Sequence, residues 1–210
     1  QIADVEIDDK ISFVIKKTEE IMEDSEYQGV RLSLDAYLDK TRIPLKIDIS
    51  TGDVITPCEI SFSYQLMFEN RTIPLLAYPP ETVLAEKLET ILSRGEANTR
   101  LRDFYDVYIL QREDFVVTPD ALRYALLATC RKRGHEDLLH TYASILDGVR
   151  QSGAMRTQWM KYQSDFDYAA GITWDTVLDT VETLCMKTLD DHAFGDELPQ
   201  EESQFEMHLL

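Results

Sequence analysis

The chain has 210 residues, of which 44% are hydrophobic and 29% are charged, and this composition excludes a disordered protein. No run approaches the roughly 18 consecutive apolar residues of a membrane-spanning helix, and no signal peptide is visible, so we expect no membrane partner. The net charge of -18 argues against tight non-specific binding of nucleic acid, which depends on basic side chains that neutralise phosphates.

The cysteines and the ends of the chain limit the class of protein further. Cys58, Cys130 and Cys185 are widely spaced and odd in number, which is not typical of a zinc site or a disulfide framework. We therefore expect reduced thiols in a cytoplasmic protein. The chain starts at Gln1 rather than Met, so we expect a preceding segment. Residues 191–210 are acidic and lack periodicity, and we expect a tail that is flexible or held by a neighbour.

Up to about residue 78 the hydrophobic pattern has a period of two, which predicts strands. Residues 30–38 and 43–49 alternate apolar and polar side chains around a short turn at 39–41. They predict an antiparallel hairpin with one apolar face. A strand is also expected around residues 11–15 and another over 72–78, with a short helix over 17–25.

From about residue 80 the period becomes helical. Pro80 suits a first helical turn, an apolar stripe of Leu84, Leu88, Ile91 and Leu92 follows, and Gly95 is placed to end the helix. Further helices are expected over residues 103–112, 119–132, 136–150, 155–169 and 173–188. The sequence thus predicts an α/β protein of the α+β kind, in which a mixed sheet (residues 1–78) is followed by a helical bundle (79–190) and the acidic tail (191–210).

Standard nucleotide-loop, dinucleotide, zinc-protease and hydrolase motifs are absent from the sequence. Three other features could carry chemistry. The first is Asp48, which alternation turns away from the apolar face of its strand. A carboxylate on a rigid strand can complete a divalent-metal or general-base site. On spacing alone, an exposed carboxylate paired with Arg31 or Lys46 explains it better.

The second feature is Lys87, which follows Glu86 at the border of the apolar stripe. A partly desolvated lysine can bind a phosphate as a point charge. Taken alone, a lysine whose aliphatic stem covers apolar surface is the better explanation.

The third feature is the stretch RLRDFYD at residues 100–106. Asp103 and Asp106 are three residues apart and share one side of a helix, directly after Arg100 and Arg102. Asp103 could simply cap the helix and complement its dipole. That explanation leaves Asp106 and the arginine pair unexplained.

Three segments in order resemble the AbiEii/AbiGii toxin family, which belongs to the DNA polymerase β-like nucleotidyltransferase superfamily. They are IDISTGD at 47–53, AYPPETVLAEKL at 77–88 and NTRLRDFYD at 98–106. The resemblance extends from about residue 5 to about residue 135, and the remaining helices match the family only in general character.

The resemblance implies roles for six residues of these segments. Asp48 would be the strand aspartate and a metal ligand. Lys87 would contact the triphosphate together with Arg100 and Arg102, and Asp103 with Asp106 would form the final acidic catalytic motif. The implied cofactor is Mg²⁺. The family usually has lysine where this chain has Arg102, so the positive charge is kept.

The front of the chain departs from the family pattern. No glycine pair and no DxD precede the hairpin, and Asp4-Val5-Glu6 and Asp8-Asp9 come too late in the family order. Mg²⁺ must neutralise the charge that develops on a triphosphate, and this requires clustered carboxylates. We therefore expect this chain to be inactive without an upstream segment.

Three functions remain open from the sequence. The resemblance implies a toxin that transfers a nucleotide from an NTP to an acceptor such as tRNA and is controlled by a cognate antitoxin. A non-catalytic nucleotide- or protein-binding module derived from that fold is the alternative. A metal-dependent nuclease is a third, which explains Lys87 and the arginines less well.

Overall fold

The computed structural model describes residues 10–21, 29–50, 52–112 and 117–190. The acidic tail and the early Asp4-Val5-Glu6 and Asp8-Asp9 stretches lie outside these residues. The chain forms two compact units, Gln1–Asp53 and Val54–Leu210. The change from strand to helix comes later, at Pro80.

The first unit is a three-stranded antiparallel sheet in the order β1-β2-β3. Its strands are β1 (Ile11–Ile21), β2 (Gly29–Leu38) and β3 (Thr41–Ile49). The expected hairpin of β2 and β3 is confirmed, with Leu34 opposite Leu45 and Arg31 opposite Asp48. Its apolar face also receives Ile15 of β1, which pairs with Leu34.

The helix expected over residues 17–25 is wrong for residues 17–21, which continue β1. Lys17 pairs with Ser33 and Glu19 with Arg31, after an irregularity in the register between Ile15 and Lys17. Lysine and glutamate favour helices weakly, and pairing with a neighbouring strand overrides that preference. Residues 22–25 lie outside the described part of the chain.

The second unit begins with an antiparallel hairpin of β4 (Ile60–Gln65) and β5 (Thr72–Ala77). The expectation of a strand over 72–78 is confirmed, whereas β4 was not expected. Its alternation of Ile60, Phe62 and Tyr64 with polar residues is a clear strand pattern.

Six α-helices follow in the described part of this unit. They are α1 (Pro80–Arg94), α2 (Leu101–Leu110), α3 (Pro119–Arg133), α4 (Leu138–Gln151), α5 (Gly153–Asp165) and α6 (Trp174–Leu189). The expected helices are confirmed with small shifts at their ends, and a short 3-10 turn at Asp167–Ala169 follows α5. The two small sheets and the helices make an α+β fold, as the sequence predicted. The described strands form two antiparallel sheets, however, rather than the one mixed sheet that was expected.

The helices enclose one apolar core. Leu84, Leu88 and Ile91 of α1 are fully buried, and α1 packs against α2, α3 and α4. The ring of Phe104 lies 5.0 Å from that of Trp174, which joins α2 to α6. Among the described residues, no helix is long and apolar enough to cross a membrane.

A proline at the start of α1 and a glycine at the end of α3 fix two helix ends next to the side chains described below. Pro80 starts α1 after an extended Pro79, as expected from the sequence. Gly134 ends α3 in the left-handed conformation, with φ of 66°, which glycine adopts without a steric penalty. This cap turns the chain directly after Arg133 and places His135 beside the same helix end.

Candidate functional site

Lys87 lies between two carboxylates of α2. Its Nζ donates to Asp106 Oδ2 at 2.6 Å and to Asp103 Oδ1 at 3.2 Å. The side chain is 19% exposed, so its ammonium does not simply extend into solvent. The stem leaves a helix whose neighbouring Leu84 and Leu88 are fully buried, which explains why Lys87 sits at the edge of the apolar stripe.

Asp103 is the third residue of α2 and is buried. The prediction that it caps the helix is wrong, because Arg100 occupies the N-cap position and no side chain caps the helix. The loop before α2 is instead held by Asn98, whose Oδ1 accepts a hydrogen bond from the Arg100 backbone N–H at 2.7 Å. A carboxylate in the first turn still complements the helix dipole.

Arg100 and Arg102 flank the two carboxylates. Arg100 Nε lies 3.2 Å from Asp103 Oδ2, and Arg102 Nε lies 3.7 Å from Asp106 Oδ2. Both arginine side chains are at least half exposed. A guanidinium carries five N–H donors, so each arginine keeps donors for a ligand while one side contacts its aspartate.

These residues form one wall of a cavity of about 700 Å³. This volume lies within the range of small-molecule sites. The opposite wall belongs to α5 and the residue that follows it. Its members are Gln158, Lys161, Tyr162, Asp165 and Phe166.

The cavity has a local excess of positive charge. It is lined by four basic residues and three acidic ones, a formal net charge of +1 in a chain whose total is -18. The basic members are Lys87, Arg100, Arg102 and Lys161, and the acidic ones are Asp103, Asp106 and Asp165. A small anion is therefore a better fit to this cavity than a free cation.

Sequence reasoning missed the α5 wall. Its residues 158, 161, 162, 165 and 166 follow the i, i+3, i+4, i+7, i+8 spacing of one helix face. That spacing is visible in the sequence, but its mixture of polar and aromatic side chains resembles an ordinary solvated face. Only its position opposite the cationic wall of the cavity distinguishes this face from an ordinary solvated one.

Asp48 lies in the first unit and makes a two-pronged ion pair across β2 and β3. Its Oδ1 accepts from Arg31 Nε at 2.6 Å and its Oδ2 from Arg31 Nη2 at 2.7 Å. The Arg31 guanidinium holds the pKa of the Asp48 carboxyl below its usual value. This is the cross-strand pair that the sequence favoured for Asp48. The structure thus brings Lys87, Arg100, Arg102, Asp103 and Asp106 together, whereas Asp48 belongs to the other compact unit.

A second ion cluster lies two residues further along α1. Glu89 is 2% exposed, and its carboxylate pairs with Arg133 and lies 2.6 Å from His135 Nδ1. The buried Cys130 lies in the same region. Burial, followed by the charge of Glu89, raises the pKa of its thiol to about 12.

The residues around Lys87 do not by themselves fit a magnesium ion. Mg²⁺ needs carboxylate oxygens free to coordinate it, whereas Asp103 and Asp106 already contact Lys87 and the arginines. Within the described ranges, no group of three or more histidine, cysteine or acidic side chains could hold a metal.

Comparison with known proteins gives one match. The family model described as nucleotidyl transferase AbiEii toxin, type IV TA system, matches residues 1–180. No curated protein and no solved structure matches the chain. The matched range contains the whole Lys87 cavity and the Arg31–Asp48 pair.

Proposed function

This chain belongs to the AbiEii nucleotidyl transferase toxin family of type IV toxin–antitoxin systems, and we propose that, together with an upstream segment that supplies the glycine pair and DxD absent here, it transfers a nucleotide from an NTP to an acceptor such as tRNA. Membership of such a system implies a cognate antitoxin as its protein partner. The observation that carries the proposal is the position of Lys87 on the wall of a cavity with excess positive charge.

Lys87 with Arg100 and Arg102 is proposed to bind the triphosphate. A phosphate oxygen that enters the cavity can accept a hydrogen bond from the Lys87 ammonium, which has three N–H groups to donate and uses two of them for Asp103 and Asp106. The exposed guanidinium groups of Arg100 and Arg102 add bidentate donors. The ligand thus meets three cations that two aspartates already hold in position.

The two aspartates are proposed to have different roles. The Asp103 side chain is 6% exposed and the Asp106 side chain is 22% exposed. Asp106 is therefore the better placed to touch the acceptor hydroxyl and take its proton, as the hydroxyl oxygen bonds to the α-phosphorus of the NTP and pyrophosphate leaves. Asp103, the less exposed of the two, is the positioning residue and acts through its contacts with Lys87 and Arg100.

Asp48 and Mg²⁺ form a separate part of the proposal. When bound, Mg²⁺ neutralises charge on the triphosphate. Asp48 could serve as a ligand only if it releases Arg31, because both of its oxygens are engaged. Carboxylates besides Asp48 are then required, because one aspartate does not hold the metal.

The test is transfer of label from each of four labelled NTPs to tRNA in the presence of Mg²⁺. We expect transfer by the wild-type protein that includes the upstream segment, and a loss of about 100-fold for Lys87→Ala in the same protein, the usual effect of removing one electrostatic stabiliser. Lys187→Ala is the matched control, because Lys187 is an exposed lysine on α6 that does not line the cavity. Absence of transfer from all four NTPs by the protein with its upstream segment would reject the enzyme.

One observation favours a non-catalytic nucleotide-binding module as the second candidate. Asp48, Asp103 and Asp106 each contact a basic side chain, an arrangement that suits binding more than metal chemistry. Equilibrium dialysis with the same NTPs separates the two. Saturable binding that depends on Lys87 but is not followed by transfer supports the module.

A further inference from the structure

The cavity wall formed by α5 has no role in the function proposed so far. Helix α5 buries only Met155 and Trp159 among its residues, so most of its surface is free of the core. Gln158, Lys161 and Tyr162 lie on the face that meets the cavity. Tyr162 packs partly against the core, whereas packing against the core does not explain Gln158 and Lys161.

A row of aromatic rings runs from the core to this face. Trp159 is buried, and its Nε1–H donates to the Ile172 carbonyl at 2.8 Å. The Tyr162 ring lies 5.3 Å from the Trp159 ring and 4.7 Å from the Phe166 ring. Phe166 is 41% exposed. The row thus ends in an accessible ring whose neighbours are fixed.

Tyr162 is held as a neutral ring. Its hydroxyl lies 2.9 Å from the Tyr168 hydroxyl, and burial raises its pKa above the usual range. The phenol therefore stays protonated and places no negative charge beside a phosphate. A fixed, uncharged aromatic surface is what a flat heterocycle stacks on.

Polar groups without partners complete the wall. Within the residues that the structure describes, the side chains of Gln158, Lys161 and Asp165 make no hydrogen bond or ion pair. The Gln158 amide can donate and accept, as recognition of a base edge requires. Lys161 adds a cation opposite the Lys87 wall.

We propose that this wall (Gln158, Lys161, Tyr162, Asp165 and Phe166) binds a nucleobase whose attached phosphate lies at Lys87 and the arginines. A phosphate on one side and a heterocycle on the other match a single nucleotide, and the cavity of about 700 Å³ is of the right order for one. The inference rests on the proposed function for the phosphate end and adds the base. The nucleotide can be the NTP or the terminal nucleotide of an RNA acceptor.

Calorimetric binding of NTPs and of inorganic tripolyphosphate tests the proposal. If the wall is a platform for a base, at least one NTP should bind the wild-type protein about tenfold more tightly than tripolyphosphate does. This is the gain expected from stacking one base. Phe166→Leu keeps an apolar side chain but removes the ring. It should abolish this tenfold gain and leave tripolyphosphate binding unchanged.

Phe68→Leu is the matched control, because Phe68 is 92% exposed and does not line the cavity. It should change neither affinity. Equal binding of NTPs and tripolyphosphate to the wild-type protein overturns the base platform and leaves the phosphate site intact. If tripolyphosphate binds equally well to wild-type protein and Lys87→Gln, the proposed phosphate site fails instead.

A second arm identifies the source of the base. CMP and a short RNA trinucleotide represent the end of an acceptor, and the NTPs represent the donor. If Phe166→Leu weakens only the NTPs, the wall binds the donor base. If it weakens only CMP and the trinucleotide, the wall binds the acceptor end. If it weakens no nucleotide, the proposal is wrong.

Discussion

Lys87 and Glu89 are two residues apart on α1, and each is the centre of an ion cluster. Lys87 is held by Asp103 and Asp106 on the wall of a cavity. Glu89 is held by Arg133 and His135 and is 2% exposed. Residues at this spacing point to nearly opposite sides of a helix, so one helix carries an open cluster and a closed one.

The two clusters differ in whether a ligand can reach their charges, and this difference decides the role of each cluster. The Lys87 cluster includes arginines that are at least half exposed, and a ligand can exchange with its existing partners. The Glu89 cluster joins α1 to the end of α3, where loss of one partner leaves a poorly solvated charge. We therefore assign binding to the first cluster and stability to the second.

The largest effect is expected from Glu89→Gln, which keeps the shape of the side chain and removes its charge. Arg133, whose side chain is 22% exposed, then loses the carboxylate of Glu89 as its partner. The free energy of unfolding should fall by about 3 kcal/mol, the scale for breaking a buried pair. Urea unfolding followed by tryptophan fluorescence measures it, because Trp159 and Trp174 are buried.

Glu96→Gln is the control for this change. Glu96 is exposed, and its substitution should shift the free energy of unfolding by no more than about 0.5 kcal/mol. If Glu89→Gln is equally harmless, the assignment of Glu89 to stability is wrong.

Lys87→Gln should weaken nucleotide binding more than it lowers stability, which is the opposite of Glu89→Gln. Nucleotide affinity is expected to fall about tenfold, or about 1.4 kcal/mol, because the central cation of the cavity is removed. The free energy of unfolding should change by only about 1 kcal/mol, since Arg100 and Arg102 still contact the two aspartates. Calorimetry and urea unfolding of the same sample test both parts, and a stability loss as large as that of Glu89→Gln would erase the contrast.

Cysteine labelling measures local opening around the Glu89 cluster, and the expected effect is smaller. Cys58 is exposed, whereas Cys130 and Cys185 are buried, and burial raises the pKa of both buried thiols to about 12. Iodoacetamide should therefore label Cys58 first in native protein. Glu89→Gln should increase labelling of Cys130 severalfold relative to Cys185, as read by mass spectrometry. Equal increases at both sites would indicate global rather than local opening.

The smallest effect is expected at the Arg31–Asp48 pair, which is exposed on the first sheet. Arg31→Gln should raise the pKa of Asp48 towards its usual value of 3.8. Because the pKa is lowered in the folded protein, the pair stabilises the fold above about pH 4, and this contribution is lost as the pH falls through the folded value. NMR titration of the Asp48 carboxyl measures the shift, and an unchanged pKa would show that Arg31 is not its cause.

Periodicity predicted much of this fold, because side-chain alternation and helical stripes report directly on which residues face a core. It identified the hairpin of β2 and β3 and the helix that carries Lys87. It failed at residues 17–21, where pairing with β2 overrides the local preference of lysine and glutamate. β4 was overlooked although Ile60, Phe62 and Tyr64 alternate clearly.

The site was only partly predictable for a different reason. The motif residues Lys87, Asp103 and Asp106 could be selected by resemblance, but no sequence pattern states that Lys87 contacts both aspartates. Gln158 and Phe166 lie more than 50 residues beyond Asp106 in the chain. Their approach to the same cavity depends on how α2 and α5 pack, which periodicity does not specify.

The positive lining of the cavity makes ligand length a basis for selection. Physiological salt screens charges that lie beyond about 8 Å, so a phosphate group inside the cavity responds mainly to the local charge of +1. A long polyanion also meets the field of a chain with a total charge of -18. Such a molecule is repelled along its length and attracted only at the point that enters. For the proposed function, this predicts that an RNA acceptor approaches end first and that moderate salt speeds its encounter rather than slowing it.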